Sequence, residues 1–212
     1  MSDELVFYTN PMSRGRVVRW MLEEVGQPYR TELLEYGSTM KAPEYLAINP
    51  MGKVPAIRHG DVVVTEGAAI CAYLADAFPR AGLAPPPTDR LRGTYYRWLF
   101  FTAGPVEAAT TNKTLGVVLS EDRRRSAGYG SFEAVMDALE HAVSGREYIV
   151  GDRFSAADVY VGSHIGWGLH LGTFERRPAF ERYVAGIMGR PAAVRAREID
   201  DALLAKAQKP AS

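Results

Sequence analysis

Three short stretches place groups with usable chemistry beside backbone that can position them. In "SRGRVVRWML", Ser13 stands directly before a helical run, so a hydroxyl donor and the positive end of a helix dipole converge on one point. Together they suit an anion; the alternative is a plain helix cap. In "NPMGKVPAI" (Asn49 to Ile57) a proline interrupts a run that otherwise reads as a strand. Pro55 removes a backbone donor, which central strands rarely tolerate. A cis bond between Val54 and Pro55 would turn the Val54 N–H and C=O outward, where an extended peptide can pair with them like one more strand. An ordinary edge or turn proline is the other reading. In "TEGAAI", Glu66 and Gly67 open a helix whose first N–H groups lack internal partners and favour an anion. The simpler reading of Glu66 is a first-turn acid on the helix dipole.

Other chemistries find little support. Cys71 is the single cysteine, so the chain cannot form an internal disulfide framework, and a reducing compartment is expected. His59, His141, His164 and His170 lack metal-ligand spacing, and no metal is expected. Neither a Gly-rich phosphate loop nor a G-x-S-x-G elbow occurs. The formal net charge is zero, from 25 basic and 25 acidic residues, and "RRR" at 123–125 is too short to steer the protein toward nucleic acid or an anionic membrane. The N-terminus is acidic, without the apolar core of a signal peptide, and no apolar run reaches the ~20 residues of a membrane span. A cytoplasmic location is expected.

Two kinds of element must position these groups. Residues 1–78 alternate: strand "ELVFY", helix "GRVVRWMLEEVG" stopped by Gly26, strand "YRTELL", short helix "PEYLAI", strands "VPAIR" and "VVVT" joined at His59-Gly60-Asp61, then helix "TEGAAICAYLADAF" with Thr65 as its expected cap. The first two strands, separated by a helix, are expected to be parallel. Residues 79–89, with four prolines and a glycine, read as a linker too stiff for a helix. From 90 to 212 the pattern is helical. Leu91, Tyr95, Trp98, Thr102 and Val106 form one stripe, with a kink expected at Gly104-Pro105. Phe132, Val135, Met136, Leu139 and Val143 form a second, and Phe180, Tyr183, Val184, Ile187 and Met188 a third. Ser155 and Asp158 make a capping-box variant. The fold class is therefore an α/β N-terminal domain followed by an all-α C-terminal domain.

Five motifs in this order resemble the glutathione S-transferase family: "FYTNPMSRGR", "NPMGKVPAI", "TEGAAICAYLAD", "FSAADVYV" and "GRPAAVRA", spanning Phe7 to Arg197. The style is similar to the bacterial beta class, with Ser13 near the position of that class's cysteine. The resemblance implies a thioredoxin-like N-terminal domain that binds glutathione as co-substrate, a helical domain shaping the second-substrate pocket, and a homodimer. It assigns the γ-glutamyl end to Glu66 and Gly67, the cysteinyl backbone to Val54 and Pro55, and the glycyl carboxylate to Lys53, with Lys41 a weaker candidate. Gly67 stands where many relatives carry serine, so one hydroxyl donor is missing. Ser13 is the expected thiol activator and Tyr8, at the end of the first strand, its rival; Arg14 and Arg16 could add positive potential or simply cover helix surface. Met12, Phe101, Thr102, Glu107 and Trp167 are candidates for the electrophile pocket. The implied activity is addition of glutathione thiolate to small apolar electrophiles. A glutathione-dependent isomerase or dehalogenase, or a non-catalytic ligand-binding module, are the alternatives.

Overall fold

In the computed structural model, which describes residues 3–207, "LVFYT" forms strand β1 (Leu5–Thr9), buried on both faces. Helix α1 (Gly15–Val25) carries the chain over to β2 (Arg30–Leu33), which pairs parallel with β1 as expected of a strand–helix–strand crossover. α1 buries Val17, Val18, Met21, Leu22 and Val25, and Gly26 ends it in the left-handed region at φ 72°. A 3₁₀ turn (Thr39–Lys41) and the short helix α2 (Pro43–Leu46) lead to β3 (Ala56–His59) and β4 (Val62–Thr65), both antiparallel to their neighbours. The sheet order is β2-β1-β3-β4, and α3 (Gly67–Ala77) follows β4.

Two local expectations are corrected. Thr65 does not cap α3: it stays in the ladder opposite Ala56, and Glu66 takes the cap position at φ 65° without a side-chain cap bond. Within the proline-rich stretch, Pro79–Ala81 form a 3₁₀ turn, because a proline at the first helical position loses no hydrogen bond there.

The described residues fall into two units: residues 3–82 with 190–207, and residues 83–189. The second unit is helical. α4 (Leu91–Phe101) and α5 (Glu107–Thr114) are joined by a π-helical turn, Thr102–Val106, with Pro105 inside it. The missing proline N–H and the clash of its ring widen the helix here, which is the form the expected kink takes. After α6 (Glu121–Arg124), α7 (Phe132–Val143), α8 (Ala156–His170) and α9 (Pro178–Met188) build the core around Val135, Met136, Leu139, Val159, Ile165 and Phe180. The capping box at Ser155 and Asp158 is present. Asp158 also accepts from the Ile149 N–H and the Tyr183 hydroxyl; burial nevertheless pushes its carboxyl above the ordinary range. The last described helix, α10 (Pro191–Ala207), belongs to the first unit, where it packs on α1.

Candidate active site

Strand register decides what comes together. Tyr8 lies opposite Ala56, and Ala56 opposite Thr65. The chain leaving β1 (residues 10–13), the chain entering β3 (Val54-Pro55) and the chain leaving β4 (Glu66-Gly67) therefore meet at one end of the sheet. Two helices, α1 and α3, also begin at that end.

The segment entering β3 is held by side chains of the α2 region. The Tyr45 hydroxyl donates to the Lys53 carbonyl at 2.5 Å and the Asn49 amide to the same oxygen at 2.9 Å. Asn49 also accepts from the Met51 N–H. Burial pushes the Tyr45 hydroxyl up to about 12, so it remains a donor throughout the range in which a thiol titrates. The next peptide, Val54–Pro55, is cis as expected, and among the described residues nothing hydrogen-bonds the Val54 N–H or C=O. Lys53 is exposed; Lys41 donates to the Met51 carbonyl, and its ammonium lies against Gly52.

At the start of α3, the N–H groups of Gly67, Ala68 and Ala69 precede the first intrahelical bond, from Ile70 N–H to Glu66 C=O. They form an anion-accepting end. Glu66 is exposed, and its φ of 65° is the sole positive value among described non-glycine residues. Such a conformation costs on the order of 1–3 kcal/mol and persists where surroundings impose it, commonly at ligand sites.

The loop before α1 is bound to itself. The Ser13 hydroxyl donates to the Asn10 carbonyl at 2.6 Å and accepts from the Gly15 N–H at 2.9 Å; Ser13 is 7% exposed. The Asn10 side chain accepts from Met12 N–H and donates to Leu34 C=O, pinning the loop to the end of β2. Gly15 is obligatory, because a Cβ there would come within 1.9 Å of Thr9 Oγ1. Tyr8 packs on Tyr45 at 5.6 Å between ring centroids, within an apolar cluster of Met40, Tyr45 and Ala56. Met12 is 72% exposed. Cys71 is fully buried and its thiol is pushed up to about 12, so it is not a reactive thiol.

The remaining candidates lie in the helical unit. Phe101 stacks edge-on against Trp98, Thr102 is buried in the π-helical turn, and Trp167 is half-buried on α8. Glu107 sits 3.7 Å from His164 Nε2, while His164 Nδ1 lies 2.8 Å from the Tyr160 carbonyl. His164 was not among the expected site residues, nor were Tyr45 and Asn49. For the last two a signal existed: Asn49 N–H bonds Tyr45 C=O, so "YLAIN" places both side chains on one face. Among the described residues no group of three or more His, Cys, Asp or Glu side chains is placed to hold a metal ion, and no helix is long and apolar enough to cross a membrane.

This combination of a four-stranded sheet, a strand entry with an open backbone and a helical unit has many relatives. The glutathione S-transferase N-terminal domain matches residues 12–77, and the glutathione S-transferase C-terminal domain residues 130–191. The glutathione S-transferase GstA of Escherichia coli O157:H7 is 30% identical over 171 residues, covering 78% of this chain and 80% of that one. Glutathione S-transferase GST-4.5 of Xanthomonas campestris is 28% identical over 175 residues, covering 78% and 83%. Among solved structures, a glutathione transferase from Methylococcus capsulatus str. Bath superposes with a TM-score of 0.78 at 27% identity, covering 93% of this chain and 99% of that one. A sphingomonad glutathione S-transferase complexed with glutathione gives 0.76 at 26%, covering 92% and 98%. The chain belongs to the glutathione S-transferase family. It is an enzyme of that family, with a thioredoxin-like sheet domain and an all-helical domain.

Proposed function

We propose that this enzyme binds glutathione across the end of the sheet and transfers its thiolate to small apolar electrophiles, as a cytoplasmic homodimer serving detoxification. The observation that carries this reading is the unpaired Val54 backbone, set by register between the loop of Ser13 and the N-terminus of α3. An extended γ-glutamyl tripeptide pairs its cysteinyl backbone with Val54 beside Pro55. Its γ-glutamyl carboxylate meets the α3 N–H groups from Gly67 onward, and its ammonium meets Glu66. Its glycyl carboxylate meets Lys53, with Lys41 nearby.

Glutathione's thiol has a pKa of ~8.5, so lowering it by about two units takes roughly 2.7 kcal/mol of preferential thiolate stabilisation. The N-terminus of α1 and the Ser13 hydroxyl supply it. The Ser13 hydroxyl donates to a neutral carbonyl, that of Asn10. A thiolate is a charged and stronger acceptor, so the hydroxyl turns toward it. Tyr8, packed on Tyr45, is assigned to the apolar cluster instead. The thiolate then attacks the electrophilic carbon, the carbon–sulfur bond forms, and the leaving group departs with its electron pair. Phe101, Glu107 and Trp167 are assigned to binding the electrophile, as is the exposed Met12, whereas Thr102 is fully buried and is not. The exposed aromatic pair Tyr96 and Phe100 on α4 supports an apolar contact between protomers.

Retention on immobilised glutathione, elution by free glutathione, and turnover of a generic aryl halide test this function together. Retention without turnover on a broad electrophile panel would mark a ligand carrier; absence of both would refute the glutathione reading.

A further inference from the structure

The four charged residues on one side of α1 each reach α10 or the residue before it. Glu24 takes a two-pronged bond from Arg190, Glu23 pairs with Arg195, Arg19 with Asp200, and Arg16 with Asp201. The Arg19–Asp200 pair differs from the rest, with both side chains 2% exposed. Arg19 also donates to the Tyr29 and Thr31 hydroxyls and lies over the Phe7 ring. Breaking such a buried pair leaves an uncompensated charge, so the register of α10 on α1 is firmly set.

Arg16, one turn earlier, has two partners of different kinds. Its Nε donates to the Pro11 carbonyl at 2.7 Å, and its Nη2 to the Asp201 carboxylate at 2.7 Å. The Pro11 carbonyl thus accepts from a side chain of α1, while the neighbouring Asn10 carbonyl is taken by the Ser13 N–H and hydroxyl. The orientation of the Pro11–Met12 peptide decides where the Met12 N–H and Ser13 point. The rigid guanidinium fork thus fixes one end on the loop and the other on α10. The three other pairs do not touch the loop.

We propose that Arg16 is a positioning residue for thiol activation, and that Asp201 on α10 holds it there, so that α10 takes part in shaping the glutathione site. This rests on the reading of residues 10–13 as the thiol loop. Without the brace the Pro11 carbonyl loses its donor, the loop relaxes, and the Ser13 hydroxyl and the α1 N-terminus no longer converge on the sulfur.

Through-space charge makes a competing account, and it differs in sign. The charged groups on the facing elements are Arg14, Arg16, Arg19, Glu23 and Glu24 on or beside α1, and Arg190, Arg195, Arg197, Glu198, Asp200, Asp201 and Lys206 on or beside α10. If Arg16 acts by charge alone, Arg16→Lys leaves the thiol unaffected, and Asp201→Ala lowers its pKa by removing a negative charge. If Arg16 is a brace, both substitutions raise that pKa, because a terminal ammonium cannot reach both partners and because an unheld arginine samples other positions. Asp201 is 57% exposed on a helix, where alanine is well tolerated, so the variant folds.

The test is ultraviolet thiolate absorbance of the glutathione complex against pH, with steady-state kinetics and thermal melts, for wild type, Arg16→Lys, Asp201→Ala and Arg195→Met. The expected result is a rise of about half a pKa unit and an approximately threefold loss in kcat/KM for the first two variants. Arg195→Met, which loosens α10 away from the loop, lowers the melting temperature and leaves the pKa in place. A wild-type curve for Arg16→Lys with a lowered pKa for Asp201→Ala overturns the brace. So does Arg195→Met moving the pKa as far as Asp201→Ala does. If wild-type protein binds no glutathione, or binds it with an ordinary thiol pKa, the thiol-loop reading fails first and takes the proposal with it.

Discussion

Residues 10–13 and residues 49–55 lie at the same end of one sheet, yet they are held differently. The later segment is held at one oxygen: Tyr45 from outside it and Asn49 from its own start converge on the Lys53 carbonyl and leave the next residue, Val54, with its backbone groups open. The earlier segment combines bonds within itself, which occupy the Ser13 hydroxyl, with ties to Leu34 and Arg16 outside it. Under the proposed function, glutathione meets an open backbone at the later segment and a hydroxyl already bonded to a carbonyl at the earlier one, so pairing with Val54 needs no rearrangement while activation by Ser13 exchanges one acceptor for another.

The contrast breaks most sharply at Gly15. A Cβ at this position would overlap Thr9 Oγ1 at 1.9 Å and crowd Ser13 Oγ at 2.9 Å. Thr9 is fully buried and has no room to give. Gly15→Ala is expected to destabilise by about 3 kcal/mol, at the upper end of ordinary overpacking, and to abolish thiol activation. Because Thr9 Oγ1 has no hydrogen-bond partner, the double variant Thr9→Ala/Gly15→Ala should recover most of the melting temperature. Failure to recover would place the constraint in the backbone of the loop.

Much of the local structure is legible in the sequence. Gly26, Pro55 and the Ser155–Asp158 box act within a few residues of themselves, so their local chemistry is enough. Thr65 shows where local preference loses: threonine is a good cap, but its pairing with Ala56 keeps it in β4 and moves the turn to Glu66. What joins distant segments leaves no local pattern. Arg16 reaches Asp201 and Arg19 reaches Asp200 across most of the chain, and nothing periodic in "PAAVRAREIDDALLAKA" says that this helix packs on α1 and not on its neighbours in sequence. The break at Pro105, by contrast, is written in the proline, and the π turn is the form it takes.

Glu66 sharpens the comparison, since it is strained where Val54 is merely unpaired. Replacement by glycine relieves a positive φ but adds freedom to the unfolded chain. Glu66→Gly is expected to leave stability equal or slightly higher, while raising KM for glutathione about tenfold or more through loss of a charged hydrogen bond worth roughly 1.5–3 kcal/mol. With kcat little altered, that pattern marks binding shared by ground and transition states. A loss confined to kcat would put Glu66 in the chemical step.

Ser13 tests the reactive side. Ser13→Ala should raise the bound thiol's pKa by about one unit, equivalent to ~1.4 kcal/mol, with small change in glutathione affinity. Tyr8→Phe should leave the titration in place. The reverse outcome would make the enzyme tyrosine-activated, and no shift in either would leave the helix terminus and backbone donors as the activators. Thermal melts separate the loss of the loop's own bonds from the effect on the thiol.

The recognition side predicts the smallest single effect, because two donors share one acceptor. Tyr45→Phe removes the bond to the Lys53 carbonyl but leaves that of Asn49, so the oxygen is not orphaned. The expected loss is about 1 kcal/mol, or approximately fivefold in glutathione affinity, with kcat unchanged. Adding Asn49→Ala strips the carbonyl of both donors, and the pair should cost more than the sum of the two single changes. The pH dependence follows from the Tyr45 hydroxyl, whose ordinary value of 10.0 is raised by burial to about 12 in the folded protein. A raised folded value means that its contribution is whole below pH 10 and is lost as pH climbs toward 12. The gap in melting temperature between wild type and Tyr45→Phe should therefore stay constant up to about pH 10 and close above it. Tyr29, also raised to about 12, is present in both proteins and cancels from the difference. Strict additivity in the double variant, or a gap that closes at neutral pH, would show that Tyr45 supports the segment by packing alone, and that the open Val54 backbone does not depend on these donors.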